Sequence, residues 1–122
     1  MAILSRFLGG VVASYTGVGG TAVALNLGFV PSYAQGIDQA DGLTTWYWCN
    51  GFGGVTGGST ATGMVISSPS AGSNTVATIA AGAGGIIALD GSAGTGIGLT
   101  IGTNTAINVA AHGVLVFAHE PM

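Results

Sequence analysis

Turn signals recur along this chain roughly every 8–12 residues, and that spacing limits its possible folds more than any other feature. Between the turns lie short runs rich in Val, Ile, Leu, Thr and aromatic residues. Residues 21–30 (TAVALNLGFV) alternate Val23, Leu25 and Leu27 with Ala24 and Asn26, the period of two expected of a strand with one buried face. Pro31 and Ser32 interrupt it. Residues 33–40 (YAQGIDQA) and 43–50 (LTTWYWCN) flank Asp41-Gly42. A type I′ turn needs positive φ at both central residues, so an Asp-Gly pair between extended runs predicts a hairpin. Further strands are expected at 64–68, 75–80, 86–90, 97–102 and 106–111. Residues 112–120 (HGVLVFAHE) are the clearest strand near the C-terminus. Glycine-rich 51–63, residues 69–74, residues 81–85, Asp90-Gly91 and residues 103–105 read as the connections.

No segment combines helical amphipathic spacing with caps, so a parallel sheet with helical crossovers is disfavoured. The chain therefore reads as all-β. The expected form is a small antiparallel β-sandwich or barrel over 21–122, preceded by an apolar N-terminal arm or first strand over 1–20. That lead segment (MAILSRFLGGVVASYTG) superficially resembles a short signal peptide. Gly9 and Gly10 break its apolar stretch and no A-x-A site follows, so it reads as ordered structure. No run of about 18 apolar residues is present, so no transmembrane helix is expected. An outer-membrane barrel would need longer strands and paired aromatic girdles. An ice-binding solenoid would need a fixed repeat, and none is visible.

Charge narrows the function. Arg6 is the one strong base, and the acids are Asp38, Asp41, Asp90 and Glu120. The charged share is 4%, against about a quarter in an ordinary soluble domain. A surface so poor in charge is expected to be covered by partner chains, a lattice or lipid. Nucleic-acid binding is disfavoured, because a single arginine cannot neutralise a run of phosphates.

Catalytic and metal chemistry find little support. Cys49 is the only cysteine, which rules out an internal disulfide and a cysteine-based metal site, and it reads as a small hydrophobe. Residues 17–22 (GVGGTA) match G-x-G-x-x-[GA], but a strand follows where a phosphate loop needs a helix N-terminus. His112 and His119 are seven apart, so one continuous strand points them to opposite faces, and they read as strand-end polar residues. Asp41 and Asp90 are explained by turns. Asp38 and Glu120 remain, a poor supply for general acid–base work, and no serine-nucleophile frame occurs. No enzyme activity, metal or cofactor is expected.

Residues 40–51 (ADGLTTWYWCNG) hold both tryptophans. On a strand, Trp46 and Trp48 share one face while Tyr47 and Cys49 share the other. One face is expected in the core and the other at an interface or in solvent; a sharper alternative makes the tryptophans an anchor for a partner or a sugar. The candidate interaction residues are Phe7, Leu8, Tyr15, Phe29, Tyr33, Trp46, Tyr47 and Trp48.

The stretch VALNLGFVPSYAQGIDQADGLTTWYWCNG resembles a pattern in small structural proteins of tailed bacteriophages. The matching residues are Leu27, Gly28, Phe29, Pro31, Ser32 and Tyr33, then Asp41-Gly42, then Trp46 and Trp48. The Thr/Gly/Ala-rich remainder, closing in INVAAHGVLVFAHEP, also resembles their ends. Ala34 departs from the pattern, standing where a larger β-branched residue is usual. The resemblance implies a head decoration (cement) protein of the virion surface, β-rich and homo-oligomeric, with a trimer favoured. Its partner would be the major capsid protein, with no role for nucleic acid, membrane or cofactor. The alternative within the same setting is a tail- or fibre-associated receptor- or glycan-binding module, in which Trp46 and Trp48 stack on sugar.

Overall fold

The computed structural model describes residues 2–40, 44–49, 62–67, 75–80, 84–91, 94 and 96–121. Two antiparallel sheets pack into a sandwich, and the described residues contain no helix. The strands are β1 (Ala2–Phe7), β2 (Gly10–Thr16), β3 (Val23–Asn26), β4 (Tyr33–Asp38), β5 (Thr44–Cys49), β6 (Thr62–Ser67), β7 (Thr75–Ala80), β8 (Ile86–Asp90), β9 (Ile97–Ile101) and β10 (Gly113–His119). The large sheet runs β1-β2-β10-β4-β5-β6-β7 and the small one β3-β9-β8.

Alternation along the strands builds the core. Val11, Ala13 and Tyr15 of β2, Val114, Val116 and Ala118 of β10, Ala34 of β4, and Trp46 and Trp48 of β5 are all buried. They meet Leu25, Leu99, Ile101 and Ile86 of the small sheet in one cluster. The intervening residues of β2, β4, β5 and β10 are mostly half-buried, on the face the small sheet does not cover. Gly36 is the tightest point. A Cβ there would lie 2.1 Å from Trp46 Cε2, so the indole occupies the space a side chain would need.

Residues 1–20 contribute two strands. β1 and β2 form a hairpin through Leu8-Gly9, where Gly9 takes φ +90°. β2 then pairs with β10 over its whole length, from Gly113↔Thr16 to His119↔Gly10. β1 is the outer strand of the sheet, with an irregularity in register between Ile3 and Ser5 of the kind that bends an edge.

The hairpin of β4 and β5 pairs Tyr33 with Cys49 and Ile37 with Thr45. Its expected Asp41-Gly42 turn lies outside the described residues, as do 51–61 and 69–74. β6 starts at Thr62, two residues before the expected strand at 64–68. The expected strand at 106–111 is not one. The Asn104 side chain accepts the Ala106 amide at 2.8 Å, and its carbonyl accepts those of Ile107 and Asn108, so the backbone is consumed by consecutive turns. This is the local competition that a short polar side chain offers to a ladder.

Candidate functional site

The two faces of the large sheet carry different chemistry. On the inner face the polar tips of aromatic residues are paired. Trp46 Nε1 donates to the Tyr15 hydroxyl at 3.1 Å, and that hydroxyl donates to the Ile107 carbonyl at 2.7 Å. Burial pushes the Tyr15 phenol well above its usual range; the Trp46 hydrogen bond opposes this and the nearby Asp38 charge adds to it.

Asp38 ends β4 on this inner face and is buried. Its Oδ1 accepts the Ala40 amide at 2.8 Å, and its Oδ2 lies 2.7 Å from His112 Nδ1. His112 is therefore the partner of a buried carboxylate rather than a plain strand-end residue. Asp38 and Glu120 fall at opposite ends of β10, because Asp38 pairs with Val114 while Glu120 follows His119. Six residues of strand separate them by about 20 Å, too far for a glycosidase-type carboxylate pair. No three His, Cys, Asp or Glu side chains converge on a metal-sized site among the described residues.

The loop over 17–22 is built around Asn108. Asn108 is fully buried and uses both ends of its amide. Its Oδ1 accepts the amides of Val18 (2.7 Å) and Gly19 (3.2 Å), and its Nδ2 donates to the carbonyls of Thr21 and Gly102. The amides that a phosphate loop would present are thus spent on an internal side chain.

The outer face holds a row of rings. Phe7 of β1 meets His119 of β10 with centroids 6.0 Å apart and planes at 74°. His119 meets Tyr33 of β4 at 5.6 Å and 51°. Tyr33 meets Tyr47 of β5 at 6.5 Å and 34°. Strand register creates the row, since Phe7 and His119 both lie opposite Gly10, and Tyr33 lies opposite His119 and Cys49. Gly10 has to be glycine here. A Cβ would sit 2.3 Å from the Ala118 carbonyl oxygen and 2.6 Å from Phe7 Cζ, so the Phe7 ring lies across β2 to reach β10. Burial raises the Tyr33 hydroxyl above its ordinary value, with smaller contributions from Tyr47 and Cys49.

The candidate residues divide accordingly. Trp46 and Trp48 are 2% and 3% exposed and belong to the core, so neither ring is open for stacking on a sugar in this fold. Tyr15 is buried with them, and Phe29 packs against the same cluster. Phe7 (43% exposed), Tyr33 (36%) and half-buried Tyr47 share the outer row, and Leu8 protrudes fully at the β1–β2 turn. Sequence reasoning missed His119 as a member of the row and Gly10 as its gap. It also missed Asn108 and the pairing of Asp38 with His112. No family model, curated protein or solved structure matches this chain.

Proposed function

We propose that this chain is a structural protein of a tailed-phage virion, a decoration or cement protein that docks on the capsid lattice. The observation that carries the proposal is the β1 edge. Leu4 is 57% exposed, Leu8 protrudes fully at the adjoining turn, and the strand ends the large sheet. An exposed edge strand carries a row of unpaired N–H and C=O groups on which another chain can pair. Its backbone supplies the hydrogen bonds and its side chains the apolar burial, so a lattice of capsid subunits, or a second and third copy of this chain, would cover it. The low charge of the whole sequence agrees with a protein that spends its life in an assembly. Stabilisation of the head would come from bridging neighbouring capsid subunits against the outward pressure of packaged DNA.

The experiment is co-sedimentation of the purified chain with heads that lack it, using the phage whose genome encodes it. Saturable binding is expected. Leu4→Lys with Leu8→Lys should weaken it at least ten-fold while the thermal melt stays within a few degrees. Deleting residues 2–16 is not a usable alternative, because it strips Val11, Ala13 and Tyr15 from the core. A chain absent from purified particles, or unaffected by the edge substitutions, overturns the proposal.

A further inference from the structure

We infer that the outer row of Phe7, His119, Tyr33 and Tyr47 is a binding platform for a single chain of neutral sugars. Four rings from four strands make consecutive contacts of 6.0, 5.6 and 6.5 Å across the sheet. Aromatic rings contribute binding area at small entropic cost, and Tyr and His add polar tips that orient a ligand. Sugars match this chemistry: their C–H faces pack on rings while their hydroxyls take hydrogen bonds from the rim.

Charge selects the class of ligand. The strands of the large sheet contain two charged residues, Arg6 and Asp38. Arg6 pairs opposite Val11 and Asp38 lies opposite Val114, so both belong to the inner set of positions. Among the described strand residues the outer face therefore offers no lysine or arginine to a phosphate, sulfate or uronate, and Glu120, an acid, follows His119 just beyond β10. A neutral ligand needs no counter-charge there and has the smaller desolvation cost, whereas an ionic one gives up its hydration without a counter-charge. Ring orientation selects the form of the ligand. Successive ring planes are inclined to one another by 74°, 51° and 34°, so the four rings form no single flat surface and do not match the flat face of a crystalline polysaccharide.

The platform is compatible with docking through β1. A strand added at that edge lies in the plane of the sheet and leaves the outer face open. The inference does not depend on the virion proposal, since the row would bind the same ligand on any scaffold.

Affinity gel electrophoresis tests it with the full chain in gels containing a soluble β-glucan, a mannan or a galactan. Alginate serves as the acidic comparator, and a proline-rich peptide is measured by fluorescence anisotropy. The chain should be retarded by at least one neutral polysaccharide. Tyr33→Ala and Tyr47→Ala should each weaken that binding about ten-fold, the scale of one lost aromatic anchor. Ile97→Ala, exposed on the small sheet, should match the parent. If either tyrosine variant fails to fold, His119→Ala at the exposed end of β10 carries the same expectation. The inference is overturned by no retardation in any neutral polysaccharide, by tighter binding to alginate or the peptide, or by row variants that bind like the parent.

Discussion

Trp46 and Tyr47 are neighbours in β5, yet they meet different surroundings. Trp46 lies flat over Gly36, 2% exposed, with its N–H given to Tyr15. Tyr47 lies half-buried on the other side of the same strand, tilted against Tyr33. Both faces of the sheet are aromatic, and on the inner one the Trp46 and Tyr15 tips are tied into a hydrogen-bonded chain ending on the Ile107 carbonyl. Such a network specifies one arrangement of the core because every alternative leaves a buried donor or acceptor unpaired. The outer rings are held by strand register and by the missing side chain at Gly10. The same residue types thus serve stability on one face and present surface on the other.

The contrast breaks most readily at Gly36. Gly36→Ala forces a methyl into the Trp46 ring and should cost about 3 kcal/mol or more, or prevent folding, as read by near-ultraviolet circular dichroism and urea titration. Tyr15→Phe should cost about 2 kcal/mol at neutral pH, because it leaves the Trp46 N–H and the Ile107 carbonyl without their partner. It should also change the alkaline limb of stability. An unfolded tyrosine loses its proton near pH 10, while folded Tyr15 keeps it to higher pH, so above that point the unfolded state binds fewer protons. Parent stability then falls with pH, by up to about 1.4 kcal/mol per unit from this one group, and Tyr15→Phe should lack that component.

His112→Ala should cost about 2 kcal/mol, since it removes a hydrogen-bonded partner from a buried carboxylate. His112→Gln, which can still donate to Asp38, should recover part of the loss in the same denaturant titration. The smallest effect is expected on the outer face, where Cys49→Ser should shift the urea midpoint by less than about 0.5 kcal/mol equivalent. A larger loss there would show that the outer face is as closely packed as the inner one, and the comparison would fail.

Much of the sandwich could be read from the chain itself, because period-two runs bounded by turn residues are a local property. The hairpin at 33–49, the last strand and the sharing of one face by both tryptophans all follow from spacing. Which face of β5 would be core does not, because Trp46-Trp48 and Tyr47-Cys49 are both apolar enough to be buried. That choice is made by Gly36 and Tyr15 across the sheet. The strand expected at 106–111 has the right alternation in Ile107 and Val109, but the Asn104 side chain captures the Ala106 amide and turns the chain. The ring row was least legible. It joins β1, β10, β4 and β5, and it needs a glycine in the one strand that lies between two of its members.

The placement of β10 between β2 and β4 also sets an order of events during synthesis. The Tyr15 hydroxyl bonds a carbonyl 92 positions later, and β2 has no inner neighbour until the segment from Gly113 onward emerges. Until then β2 and β4 are two unpaired apolar edges on a nascent chain elongating at about 5–20 residues per second. Pairings of such high sequence separation form slowly, since loop closure precedes any reward. The insertion of β10 is therefore a late, simultaneous closing of both edges. A ribosome stalled before that segment would hold an aggregation-prone half-sheet rather than a smaller domain.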